Sequence, residues 1–110
     1  MATTFNNVLQ SEIGTTEALA LTSASNARVT VIGLSLTNLT GSVILASIRV
    51  LNNTTTDSAY YLKEVPIPPN QSLRVINGGE KLVLTTNTSL YIQASQNDSL
   101  DLVMSYVAIT

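Results

Sequence analysis

The sequence predicts an all-β fold, an antiparallel β-sandwich or jelly-roll-like domain of about seven to nine strands. Three observations carry this. Apolar residues alternate with polar ones in short segments, and clusters of Asn, Ser, Gly and Pro separate those segments. Helical periodicity is nearly absent: Glu17 to Leu21 has helical propensity, but the run is too short to stand alone as a helix.

The strongest element is Arg28 to Asn38, with Thr30, Ile32, Leu34 and Leu36 expected on one face and Val29, Val31, Gly33, Ser35 and Thr37 on the other. A turn at Leu39 to Ser42 leads into Val43 to Leu51. There Ile44, Ala46, Ile48 and Val50 form one face, while Val43, Leu45, Ser47, Arg49 and Leu51 form the other. Both faces are largely apolar, which places this strand centrally or against a partner. Asn52 to Asp57 is a polar loop, and a strand is expected from Ser58 to Val65. Pro66, Pro68 and Pro69 cannot donate to a ladder, so they mark an edge or a crossing connection. Ser72 to Ile76 follows. Asn77-Gly78-Gly79 is read as a tight hairpin turn, with Glu80 to Leu84 as its returning strand. Ser89 to Ala94 and Leu100 to Ile109 complete the pattern, and Asn7 to Ile13 and Glu17 to Leu21 are weaker strand candidates.

A chain of 110 residues forms one domain. Residues 16–110 are assigned to the sandwich. Residues 1–15 are read as an extended arm or as the first strand of the same sandwich. Hydrophobic residues make up 45% and charged residues only 11%, so disorder is not expected. So few charges leave part of the surface to be covered by neighbours. Ser, Thr and Asn supply about a third of the chain and can solvate the remainder without charge. The net charge is −2 and the basic residues Arg28, Arg49, Lys63, Arg74 and Lys81 are dispersed, so no nucleic-acid footprint is visible. The first seven residues lack the basic and apolar regions of a secretory signal. No aliphatic run is longer than Val43 to Ala46, far shorter than the roughly 20 residues of a membrane helix. Neither secretion by that route nor membrane insertion is expected.

Histidine and cysteine are absent, which removes the usual general base, the nucleophile pairings and the nitrogen and sulfur ligands of zinc. No enzyme activity and no cofactor is expected. Asp98 and Asp101 beside Asn97 could be imagined around calcium, but those residue types at a strand entrance are ordinary turn formers. Glu64 and Glu80 are the pair a glycosidase would need to face across a cleft, and a chain of this size offers little room for one. Sugar stacking would need flat aromatics on one face. Tyr60 and Tyr61 are adjacent and point to opposite faces, so one is expected in the core and the other at a rim or interface.

Four segments carry a family resemblance: Thr30 to Asn38, Tyr61 to Leu73 with its Val65-Pro66-Ile67-Pro68-Pro69 core, Gly79 to Leu84, and Leu100 to Tyr106. From Arg28 onward the chain resembles small virion structural proteins of tailed bacteriophages, those of aquatic and cyanobacterial phages in particular. Such proteins commonly have glycine after the proline pair. Here Asn70 stands in its place, a residue that also tolerates the left-handed conformation.

The resemblance implies a self-assembling sandwich or jelly-roll subunit of the virion, with no catalytic residues to carry over. The function expected is that of a head decoration or cement protein contacting the major capsid protein. A neck, tail or baseplate subunit is the second reading, and a carbohydrate-binding module the third. A homo-oligomer is expected, with a trimer favoured, assembled in the host cytoplasm. The residues expected at its interfaces are Phe5, Val8, Leu9 and Ile13 of the N-terminal segment, Val43 and Leu45 of the two-sided strand, and Tyr60 and Tyr61.

Overall fold

The computed structural model describes residues 2–77 and 80–110. It contains nine strands: β1 (Thr3–Ile13), β2 (Ala18–Thr22), β3 (Arg28–Asn38), β4 (Ile44–Asn52), β5 (Ser58–Ile67), β6 (Ser72–Ile76), β7 (Leu82–Leu84), β8 (Thr88–Ala94) and β9 (Leu100–Ile109). No helix occurs among the described residues. Two sheets face each other. One runs β1-β9-β3-β6 with β7 also on β3, and the other runs β2-β8-β4-β5.

The pairing nests from the ends inward. β1 pairs with β9, β2 with β8, β3 with β6 and β7, and β4 with β5, all antiparallel. The chain is thus a long hairpin rolled up on itself. The lateral pairs β3 with β9 and β4 with β8 then join the roll into two sheets. This is the jelly-roll winding.

Inward-facing positions fill the space between the sheets. Val29, Val31, Leu34 and Leu36 of β3 and Leu100, Leu102 and Met104 of β9 meet Ile44, Ala46 and Ile48 of β4 and Leu90 and Ile92 of β8, all buried. The two faces expected for β4 are those observed. For β3 the expected faces hold only in part. The register with β9 slips between Val31 and Gly33, and this bulge at Ile32 reverses the alternation, so Val29 and Val31 share the core with Leu34 and Leu36. An extra residue in a strand does this wherever it falls, because side chains alternate with a period of two.

A second departure concerns β6 and β7. Expected as the two arms of a hairpin, they both run antiparallel to β3, β6 opposite Leu34 to Thr37 and β7 opposite Val29 to Val31. β7 therefore continues in the direction of β6 instead of returning along it. The interruption falls beside the Ile32 bulge, where the β3 ladder is itself broken. Residues 78 and 79 of the expected turn lie outside the described residues.

Residues 3–13, open in the sequence between an arm and a strand, form β1 along β9, in register from Thr3 opposite Ile109 to Gln10 opposite Leu102. A bulge follows, where Glu12 takes φ 57° and its N–H donates to Asp101 Oδ1 at 3.1 Å. β5 extends to Ile67, so Pro66 lies within an edge strand, a position that tolerates a missing donor. Asn70 adopts the left-handed conformation, φ 55°.

One buried polar side chain ties the sheets together at the β3 end. Asn38 is 1% exposed. Its Nδ2 donates to the carbonyls of Ser42 at 2.8 Å, Ile67 at 3.0 Å and Pro68 at 3.2 Å. Its Oδ1 accepts from the N–H and the hydroxyl of Thr40, both at 2.8 Å. Fully satisfied, the amide fixes where β3 ends and where the β5–β6 connection crosses.

Candidate assembly surface

The outer faces of the two sheets differ in degree: that of the β2-β8-β4-β5 sheet exposes Leu19 and Tyr60 around a paired arginine, that of the β1-β9-β3 sheet a larger run of apolar side chains. On the β2-β8-β4-β5 sheet, register places Leu19, Tyr91, Arg49 and Tyr60 in one row. Arg49 Nε and Nη2 donate to Glu17 Oε2 and Oε1 at 2.9 and 3.0 Å, and Nη1 donates to Ser58 Oγ at 3.0 Å. The guanidinium lies 4.6 Å from the Tyr91 ring centre, and Lys63 Nζ lies 5.0 Å from that of Tyr60. The bidentate hydrogen bonds and positive charge of Arg49 hold the Glu17 carboxyl below its usual range. This face has polar groups that are already partnered within the chain.

The outer face of the β1-β9-β3 sheet differs. Phe5 of β1 stands opposite Val107 of β9, which stands opposite Thr30 of β3, which stands opposite Val83 of β7. Two rungs further, Leu9 stands opposite Val103. Ile109 lies at the other end of the same face. Phe5 is 76% exposed, Leu9 68%, Val83 59% and Val103 50%. Beside Phe5 runs a shallow groove of about 540 Å³ that also touches Asn7, Ile32 and Ser105. Arg28 stands opposite Ile109, Arg74 ends the Leu9–Val103 row across Ser35, and Asp101 lies one rung beyond Val103. An apolar patch with a polar rim is the signature of an interaction surface.

The residues expected at interfaces are thus distributed over the molecule. Phe5 and Leu9 lie together on this apolar face. Val8 packs against the core and Ile13 is buried in it. Val43 precedes β4, exposed, and Leu45 lies on the outer side of β4, bonded through its N–H to Ser95 Oγ. Tyr60 is half exposed beneath Lys63. Tyr61 packs on the core margin, where burial, with a hydrogen bond to Glu80 and that group's charge, raises its hydroxyl pKa.

Val83, Val103, Val107 and Ile109 join this face without being among the residues expected at interfaces. A signal for three of them exists in the sequence, because Leu100 to Ile109 is apolar on both faces in the same way as Val43 to Leu51.

The acidic candidates are separated or engaged. Glu64 lines a pocket with Leu45, Ser47 and Gln93, while Glu80 lines a different one with Tyr61 and Arg74. Asp101 accepts from the Glu12 N–H, and Asn97 Oδ1 accepts from the hydroxyl of Thr15 at 3.0 Å. No group of three or more acidic side chains with metal-binding geometry occurs among the described residues.

No protein-family model and no characterised protein sequence matches the chain. Solved structures match its fold. A chain of Bacillus endospore appendages, a family of disulfide-linked pili, superposes with a TM-score of 0.57 at 11% identity, over 98% of this chain and 88% of that one. A chain of the infectious bursal disease virus T13 particle gives 0.57 at 9% identity, over 96% of this chain and 30% of that one. The Gx strain of the same virus gives 0.59 at 8% identity, over 98% and 33%. The chain spans about a third of the length of these viral chains. At such identities the likeness is one of fold.

Proposed function

We propose that this chain is a non-enzymatic structural subunit of a virion, and within that class a decoration or cement protein on the head of a tailed phage. The observation that carries the reading is the contrast between the two outer faces. On one, Arg49 is paired with Glu17 and cations lie over the rings of Tyr60 and Tyr91. The other leaves Phe5, Leu9, Val83, Val103 and Ile109 in water. A sheet face of this kind gains free energy by being covered, at about 25 cal/mol per Å² of apolar surface.

The fold is shared with chains that build a viral particle and a pilus. The pilus family is described as disulfide-linked, and this chain has no cysteine, so its assembly rests on surface complementarity. The partner proposed for the apolar face is the major capsid protein. Self-association belongs to the same reading. A trimer requires two different surfaces of the chain to meet, whereas a twofold contact requires one self-complementary surface.

The test is co-sedimentation of the purified chain with particles stripped of it. Wild type should bind and co-sediment. Leu9→Ser and Val103→Ser should fold and bind at least about tenfold more weakly, the loss expected for central apolar interface positions. Unchanged binding by both variants would contradict the assignment of this face.

A further inference from the structure

A strand at the margin of a sheet leaves a row of N–H and C=O groups without a ladder partner, and stable proteins blunt such edges. Three of the margins here are blunted. β5 carries Pro66 and two register breaks against β4. β2 has five residues, and Gln10 Nε2 donates to its Leu19 carbonyl at 2.8 Å. β6 and β7 are short and divide the edge of β3 between them.

β1 is different. It has 11 residues, its register with β9 is unbroken from Thr3 to Gln10, and it ends the sheet with no described strand on its other side. It contains no proline and no lysine. Its one charge, Glu12, lies at the far end, within the bulge.

We propose that a second copy of this chain pairs along this edge, β1 against β1, antiparallel across a twofold axis at Asn7. The outward positions of β1 read Thr3, Phe5, Asn7 and Leu9 along the regular stretch, and exposed Ser11 follows where the bulge begins. That series is a chemical palindrome: hydroxyl, apolar, amide, apolar, hydroxyl. Antiparallel pairing centred on Asn7 sets Phe5 opposite Leu9 of the second copy, Thr3 opposite Ser11, and Asn7 opposite itself. Centring on Asn6 or Val8 keeps the faces aligned but leaves both apolar residues opposite polar ones. Half-residue centres turn one copy's outer face inward. The two Glu12 carboxylates fall at opposite ends of the paired strands, so no like charges face each other.

The pairing extends each exposed row into the next molecule. Val107 and Phe5 of one copy continue into Leu9 and Val103 of the other, so the apolar face becomes continuous across the dimer. In that respect the inference rests on the assembly reading above and names one of its partners.

Because the chain has no cysteine, a single Asn7→Cys substitution reports the contact directly. Residues facing each other across an antiparallel pair lie about 4.5–5.5 Å apart at Cα, within disulfide reach. Under mild oxidation Asn7→Cys should give a cross-linked dimer at least about tenfold faster than Ser58→Cys, an exposed control on the opposite margin. Asn7→Lys and Asn7→Asp should each be monomeric by light scattering, and their equimolar mixture should regain the dimer.

Cross-linking no faster than the control, or dimers undiminished in both charge variants, would overturn the inference. Hydrogen exchange on the unmodified chain probes the same contact without substitution. Amides of residues 3–11 should gain protection as concentration rises, and concentration-independent exchange there would overturn it. Val103→Ser keeps the two readings apart. It should still cross-link through the Asn7→Cys thiol while losing particle binding.

Discussion

Leu9 and Val103 stand directly opposite each other on neighbouring strands and both point away from the core, 68% and 50% exposed. Neither helps bury the domain's own interior. Replacing either with serine should therefore change folding stability by no more than about 0.5 kcal/mol, the range of ordinary surface substitutions. Leu102, the next residue on β9, is 1% exposed, and Leu102→Ala should cost about 3–5 kcal/mol. Denaturant titration of the three variants checks the contrast. A large loss from the Leu9 or Val103 change would show that this face is structural.

Asn38 should be the most sensitive polar position. Asn38→Ala removes the side-chain partner of three carbonyls and of the Thr40 N–H, the Ser42 carbonyl alone keeping the Thr40 hydroxyl as a second side-chain donor. The cost expected is about 2–3 kcal/mol, which lowers the melting temperature by about 10 °C for a domain of this size. Asn38→Asp keeps the acceptor and loses the donors, so it should be no better. Thermal unfolding followed by circular dichroism measures both, and a shift of a degree or two would contradict the pinning role.

The Glu17–Arg49 pair sets a pH dependence whose sign is fixed. Arg49 holds the Glu17 carboxyl below its ordinary range. The stability it contributes is therefore present above the unfolded carboxylate pKa and is lost as pH falls through the folded one. At neutral pH Glu17→Gln should cost about 0.5–1 kcal/mol, the scale for a solvent-screened pair. The difference from wild type should vanish by about pH 2. A gap that persists unchanged in acid would show that packing, not charge, is responsible.

Tyr60 and Tyr91 share an outer face, but Lys63 sits over the first ring and Arg49 over the second. Sugars stack on open aromatic faces, so a glycan array should give no reproducible hit. A hit removed by Tyr60→Ala in a folded protein would raise the carbohydrate-binding reading above the structural one.

The strands are legible where alternation is regular. Arg28 to Asn38, Ser72 to Ile76 and Leu100 to Ile109 are strands with the boundaries their patterns suggest. What the pattern does not carry is local. A bulge at Ile32 inverts the faces of β3 without leaving a distinctive residue behind. Asn77-Gly78-Gly79 permits a reversal but does not compel one, and β7 pairs with β3 on the far side of the bulge from β6.

The surface is half legible. Phe5 and Leu9 stand out as apolar residues in an irregular segment. Their alignment with Val107 and Val103 is set by the pairing of the chain's first and last strands, a contact between distant parts of the sequence that local pattern does not encode.

If this chain is built into a virus particle through the outer face of its β1-β9-β3 sheet, cryo-electron microscopy of particles grown from the genome that encodes it tests this most directly. The expected result is a jelly-roll density on the head in a fixed ratio to the capsid subunit, with Leu9, Val103 and Val107 buried against neighbouring protein. Particles that lack the chain, or that carry it with this face open to solvent, would contradict the assignment.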